Sequence, residues 1–304
     1  MKIKRGMETK VSELHHDQAQ LLTSHDDFYV REAYKSLRTN VMFSLTDDKK
    51  SHVVMVTSAM PSEGKSTTAI NLAISLAEAG KKTLIVDCDM RKPKIGRLMN
   101  VKTRDGLSDV LFQRDKCEKA LIQVKDMELC ILTAGSIPPN PSELLGSGRM
   151  QRLIESMRER FDYIILDMPP INVVTDAVIA SPLADGALMV VRSEMSERND
   201  VLRAMDQLER ANTKILGAVL TCVKEEKHAY GNYRKQYKYG YKHGYGYGYG
   251  YLHFLLNEEK AQQHRSNNQQ HMFTAALEFL QIATLQDSSI TFIKERNAAI
   301  HDQQ

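Results

Sequence analysis

From residue 53 to 223 the chain alternates short, unbroken apolar runs with stretches of helical pattern, and this alternation constrains the fold most. The runs read VVMVTSA, TLIVDCD, YIILDMPP, GALMVVRSE and KILGAVLTCV. Helical patterns start near Lys65, end near Phe161, start again at Thr175 and separate the last two runs. A strand that is apolar at every position has no face to give to water, so both sides of its sheet must be covered. Parallel strands joined by crossover helices meet that demand. The prediction is an α/β domain with a mostly parallel sheet and helices on both faces. With 304 residues, 42% of them hydrophobic, the chain can build such a core.

Four segments follow from the pattern: residues 1–25 as an N-terminal segment, 26–226 as the folded domain, 227–251 as a tail, and 252–304 as an extension of uncertain order. Residues 26–44 form an amphipathic helix candidate ahead of the first strand. In the tail, YGNYRKQYKYGYKHGYGYGYGY places nine of the twelve tyrosines within residues 230 to 251. Glycine beside nearly every second aromatic leaves no continuous apolar face and costs backbone entropy, so this segment is predicted to be flexible and unpacked. The extension is rich in Gln, Asn and His, with one helix-like stretch at MFTAALEFLQIATL and no strand–helix rhythm.

The stretch SAMPSEGKSTT follows the first apolar strand and opens a helix, the context in which GK[ST] becomes a phosphate site. The predicted nucleotide-binding loop comprises Ser62, Glu63, Gly64, Lys65, Ser66 and Thr67. Lys65 would reach the β- and γ-phosphates, the Ser66 hydroxyl a magnesium ion, and Gly64 would permit close backbone approach. One departure stands out: the first glycine of GxxxxGK[ST] is Ala59.

Two further strands end in carboxylates. LIVDCDMRKP carries Asp87 and Asp89, which at strand spacing point to the same side, at the sheet edge where ligands of open α/β folds bind. YIILDMPP carries Asp167, in the setting of a Walker B aspartate that holds magnesium. Ser66, Asp89 and Asp167 are the predicted magnesium residues, and Asp87 or Asp89 the candidate base. Arg91, directly after this pair with Lys92, is assigned to stabilising phosphoryl charge, against the simpler reading of exposed cations.

Charge and cysteine usage exclude several classes. Forty-one basic and thirty-eight acidic side chains leave +3, no nucleic-acid footprint. The excess is local: six Lys or Arg and two Glu lie between Lys224 and Lys242, which suits an acidic partner or an anionic membrane surface as well as a solvated loop. No apolar run reaches the roughly 18 residues of a membrane helix, and the N-terminus lacks a signal-peptide core, so the expected location is cytoplasmic. Cys88, Cys117, Cys130 and Cys222 show no metal-type spacing and are expected to be reduced and mostly buried.

Taken together, SAMPSEGKST, LIVDCDMRKP, IILDMPP and the tyrosine cluster resemble the bacterial tyrosine kinases (BY-kinases) of the cytoplasmic capsule and exopolysaccharide type. The resemblance spans roughly residues 26 to 251. It implies a P-loop NTPase-like fold, ATP and Mg²⁺ as cofactors, and a Walker A motif in which the opening glycine is often absent. It further implies that Tyr230, Tyr233, Tyr237, Tyr239, Tyr241, Tyr245, Tyr247, Tyr249 and Tyr251 are phosphoacceptors, modified in trans by a neighbouring subunit of a ring. Other implied partners are a separate transmembrane activator, which would recruit the protein to the inner face of the membrane, and a cognate phosphotyrosine phosphatase. The family's ring contact, E-x-x-R-x-x-R, here reads Glu32, Lys35 and Arg38; lysine keeps the charge but loses the bidentate fork. Two alternatives share the loop. A positioning ATPase of the division or partition type would carry a signature lysine where this chain has Met60, and a non-catalytic, nucleotide-switched regulator would not need the intact acids.

Overall fold

The computed structural model describes residues 21–23, 28–45, 49–101, 103, 105–113, 117–223 and 251–255. Helix α1 (Phe28–Ser44) precedes the sheet. Strand β1 (His52–Ser58) leads into α2 (Lys65–Glu78), then β2 (Thr83–Asp87), α3 (Ile95–Leu98), α4 (Leu107–Phe112), α5 (Cys117–Ala120), β3 (Leu121–Gln123) and β4 (Leu129–Leu132). There follow α6 (Pro141–Leu145), α7 (Gly148–Arg158), β5 (Tyr163–Asp167), α8 (Asp176–Ala180), β6 (Gly186–Arg192), α9 (Arg198–Arg210), β7 (Ile215–Val223) and β8 (Tyr251–Leu255).

The strands form one sheet in the order β3-β4-β2-β5-β1-β6-β7-β8. The pairings among β4, β2, β5, β1, β6 and β7 are parallel, while β3 on β4 and β8 on β7 are antiparallel. Strand β1 is entirely buried, and its side chains divide between two cores. Val53 and Met55 join the cluster that includes Met150 and Ile154 of α7 and Val201 and Leu208 of α9. Val54 and Val56 join the cluster formed with α1 and α2. The unbroken apolar runs thus have the reason expected of them: period-2 side chains face helices on both sides.

Helix α1 belongs to this second core through Tyr34, Leu37 and Val41, spaced three and four apart on one face. Leu37 is completely buried, so truncation to alanine costs about 2 to 5 kcal/mol. Arg38 Nη1 donates to the Ser75 carbonyl of α2 at 2.7 Å, while Glu32 and Lys35 pair with each other at 2.6 Å.

Three expectations need correction. The rhythm gave no strands between residues 101 and 140, yet β3 and β4 lie there; at three and four residues they are too short to carry a pattern. Residues 252–304 showed no strand signal, yet Tyr251–Leu255 adds to the sheet edge, with Val223 and Tyr251 as register partners. Tyr251 therefore begins a strand, whereas the other eight acceptor candidates and the helix-like stretch after residue 271 lie outside the described residues. Of the four free thiols only Cys88 is fully buried; Cys117 and Cys130 are half-buried and Cys222 is exposed.

Candidate active site

The strand order decides where the chemistry sits. Because β5 lies between β2 and β1, the carboxylates that end β2 and β5 and the loop that follows β1 come together at one sheet edge. Ligands of open α/β sheets bind in this position.

The loop from Ala59 to Gly64 is held by the body of the domain. Thr221 Oγ1 of β7 donates to the Glu63 carbonyl at 2.9 Å, and Arg192 Nη1 donates to the Ser62 carbonyl at 2.9 Å. The Glu63 side chain is buried and turned inward, accepting from the Met60 amide at 2.8 Å and from the Ser196 hydroxyl. Burial pushes its carboxyl above the usual range, partly offset by the Ser196 bond. Glu63 is thus a brace of the loop, and Thr221, Arg192 and Ser196 support it from distant positions that no local motif marks.

Gly64, at φ 96°, adopts the left-handed backbone that glycine favours, immediately before α2. Ala59 is fully buried, and among the described residues it is not one of those with positive φ. The missing first glycine is therefore tolerated, because the backbone there needs no left-handed conformation.

Lys65 opens α2 with its ammonium between two carboxylates, 3.1 Å from Asp89 Oδ2 and 3.2 Å from Asp167 Oδ1. It also lies 3.2 Å from Ser66 Oγ. Its burial favours the neutral form, but Asp167, Asp89 and Asp87 outweigh that and hold it charged. Asp167 is completely buried, and its Oδ2 has no hydrogen-bond partner. Burial raises the Asp167 carboxyl, against the opposing pull of Lys65.

Asp87 and Asp89 do converge, but not by strand spacing. Strand β2 stops at Asp87, and Asp89 sits in the turn beyond it. Asp87 nucleates that turn, accepting from the amides of Asp89 at 3.2 Å, Lys94 at 3.1 Å and Ile95 at 3.0 Å. Asp89 Oδ1 accepts from the Lys92 amide at 3.0 Å. The expectation of a continuing strand fails because the carboxylates bond to their own turn, which competes with a ladder. Burial, with Asp167 alongside, pushes Asp87 up to about 8.

Arg91 is placed elsewhere. Its Nε and Nη2 form a fork on Asp176 of α8, each at 2.9 Å, and Nη2 also donates to Ser142 Oγ at 3.0 Å. Hydrogen bonds and ion pairs bring Lys65, Ser66, Asp89 and Asp167 together, with Asp87 in register beside Asp167; Arg91 is directed to a separate cluster.

The donor set suits a magnesium–nucleotide complex. Among the described residues no three carboxylate, imidazole or thiol groups form a metal cage of their own. Magnesium commonly needs only one or two carboxylates when phosphate oxygens and water complete its shell. The unpartnered Asp167 Oδ2, next to the Ser66 hydroxyl and a phosphate loop, is the kind of acceptor such an ion satisfies.

A strand, a phosphate loop and a helix on a mostly parallel sheet, with aspartates ending two adjacent strands, define a nucleotide-binding P-loop protein. The family model ParA, described as NUBPL iron-transfer P-loop NTPase, matches residues 49–236. The tyrosine-protein kinase YwqD of Bacillus subtilis is 40% identical over 203 residues, covering 66% of this chain and 85% of that protein. The tyrosine-protein kinase CpsD of Streptococcus agalactiae is 36% identical over 203 residues, covering 66% and 87%. Among solved structures, the kinase domain of the Escherichia coli tyrosine kinase ETK matches with a TM-score of 0.61 and 32% identity, over 71% of this chain and 80% of that one. The chimerical protein CapA2B2 matches with a TM-score of 0.58 and 38% identity, over 62% and 82%. Within the P-loop proteins, this chain belongs to the bacterial tyrosine-protein kinases.

Proposed function

We propose that the protein transfers the γ-phosphoryl group of ATP to tyrosines of its own C-terminal cluster, in trans, and thereby regulates capsular or exopolysaccharide synthesis and export. The observation that carries the reading is Lys65, held by Asp89 and Asp167 at the start of the helix behind the phosphate loop. The loop amides and Lys65 would bind the phosphates. Ser66, Asp89 and Asp167 would hold magnesium, which neutralises phosphate charge when bound.

Asp87 is our choice for the proton acceptor. Of the three aspartates it is the one that forms no hydrogen bond or close ion pair with Lys65, although its charge still acts on that ammonium, and its hydrogen-bond donors are neutral amides. It would take the phenolic proton as the tyrosine oxygen bonds to the phosphorus and the bond to the ADP oxygen breaks, leaving phosphotyrosine and ADP.

Met60 argues against a positioning ATPase, because its side chain packs against the apolar core where such a protein would carry its signature lysine. Among the described residues no helix is long and apolar enough to cross a membrane. In this reading the enzyme is cytoplasmic, brought to the membrane by a separate activator, assembled as a ring through Glu32, Lys35 and Arg38, and reset by a phosphatase. The proposed domain limits remain 26–226 for the kinase and 227–251 for the acceptor cluster.

The test is to incubate the purified protein with Mg-ATP and the cytoplasmic segment of a candidate activator, and to map phosphotyrosine by mass spectrometry. Phosphate on several tyrosines between 230 and 251, absent in Asp89→Ala, is expected. ATP turnover without phosphotyrosine would overturn the kinase reading in favour of a switch.

A further inference from the structure

We propose that Asp176 is a positioning residue for phosphoryl transfer, acting through Arg91 to anchor the turn that carries Asp87 and Asp89. The inference rests on the kinase reading of this site and deepens it. Asp176, at the start of α8, has a fully buried carboxylate. Both its oxygens are engaged: Oδ2 by Arg91 Nε at 2.9 Å, and Oδ1 by Arg91 Nη2 at 2.9 Å and Ser142 Oγ at 2.6 Å. Arg91 Nη2 also donates to Ser142 Oγ at 3.0 Å, closing a triangle among the turn after β2, α6 and α8.

The geometry of the turn explains why such an anchor matters. Between Asp87 and Ile95 the carboxylates of Asp87 and Asp89 accept mainly from amides of the same turn. Those bonds fix the turn's internal shape but not its attitude to the rest of the domain. Cys88 and Met90 hold it from beneath by burial in the core. The Cys88 amide donates to the Asp167 carbonyl at 3.0 Å and Asp89 pairs with Lys65, which ties the first part of the turn to β5 and α2. Arg91 ties the next part to α8, and a two-point fork specifies orientation as a single hydrogen bond does not. Asp89 lies two residues before that fork and touches Lys65, so a small rotation of the turn would misplace both carboxylates relative to the phosphates. Arg91 then acts on the reaction through the turn, and its bonds to Asp176 and Ser142 direct it away from direct phosphoryl contact.

The test uses the full chain with Asp176→Asn, Arg91→Gln, the double variant and the milder Ser142→Ala. Amide hydrogen exchange over residues 88–95 should be faster in Asp176→Asn and Arg91→Gln, and unchanged over residues 53–58. For autophosphorylation, kcat should fall about 10- to 100-fold with the KM for ATP changed less than about threefold, as misplacement of reacting groups gives. The double variant should be no worse than either single one, and Ser142→Ala should show a smaller loss of the same kind. If thermal melting shows Asp176→Asn unfolded, Ser142→Ala and Arg91→Gln decide the matter. A much larger kcat loss in Arg91→Gln than in Asp176→Asn, with additive effects, would mean that Arg91 acts directly on the phosphoryl group. Unchanged exchange and kcat in all of them would make the triangle a passive surface brace. A wild type that forms no phosphotyrosine would sink the kinase reading, while the exchange measurement, needing no substrate, still decides the positioning role.

Discussion

Asp87 and Asp167 are register partners at the ends of the adjacent parallel strands β2 and β5. Both are completely buried, and Asp167 holds the Lys65 ammonium at 3.2 Å. Two carboxylates are thus confined side by side, with one ammonium against them.

The first prediction is a pH dependence of stability in magnesium-free protein. The Asp87 pKa rises from 3.8 to about 8 on folding, because of burial and the neighbouring Asp167, against Lys65 and the Ile95 amide. Between those values the folded state binds more protons than the unfolded one, so this group's contribution falls as pH rises from about 4 to about 8. Urea unfolding should therefore give a lower midpoint at pH 8 than at pH 5.5. Asp167→Asn, by removing one buried charge, should recover on the order of 1 kcal/mol at pH 8 while abolishing kinase activity. A flat profile, with no gain from the variant, would locate the strain elsewhere.

Lys65→Met should reduce autophosphorylation by at least about 10²- to 10³-fold with the secondary structure intact at pH 6. Its absence leaves Asp89 and Asp167 without their cation, so this variant should lose stability with rising pH more steeply than wild type. Circular dichroism and phosphotyrosine blotting check both halves. Undiminished labelling would remove Lys65 from the mechanism.

Helix α1 separates into two kinds of charge. The Glu32–Lys35 pair is half-exposed, so Glu32→Ala with Lys35→Ala should change stability by less than about 0.5 kcal/mol and yet shift any oligomer towards monomer. Arg38→Ala should cost about 1 kcal/mol besides, because its bond to the Ser75 carbonyl holds α1 on α2. Light scattering and denaturant melts distinguish these effects. An unaltered mass in the Glu32/Lys35 variant would leave α1 with packing alone.

Gly64→Ala places a side chain in left-handed backbone at φ 96°, with its Cβ 3.4 Å from the Thr221 side chain. The expected cost is about 1 to 2 kcal/mol, appearing mainly as weaker Mg-ATP binding because the loop would relax away from its phosphate geometry. Calorimetric titration should show about a tenfold or greater loss; equal affinity would mean that the loop adapts.

Phosphorylation in trans is tested by mixing a Lys65→Met subunit that bears the acceptor segment with an active subunit truncated after Glu226. The inactive chain should become labelled on several tyrosines. Each phosphate adds about −1.5 to −2 charges, so four or five turn this basic segment acidic and should loosen the assembly. The loss of labelling only in the mixture would show transfer within one chain.

By itself the sequence determined the layers of the fold and the phosphate loop. Both are local in origin: apolar runs report how many faces a strand buries, and Gly64-Lys65-Ser66 sits where a strand becomes a helix. It also singled out Asp87, Asp89 and Asp167 as candidates, though it placed Asp89 on a strand that ends at Asp87. Tertiary structure decided what those residues touch. The order β2-β5-β1, which no local signal encodes, puts Asp87 opposite Asp167 and brings Asp89 and Asp167 to Lys65. It also sends Arg91 to Asp176 instead of the phosphate site, and it makes Glu63, Thr221 and Ser196 supports of a loop far from the last two in sequence. Periodicity and motif spacing report only on neighbours along the chain, whereas a buried ion pair is fixed by which strands lie side by side.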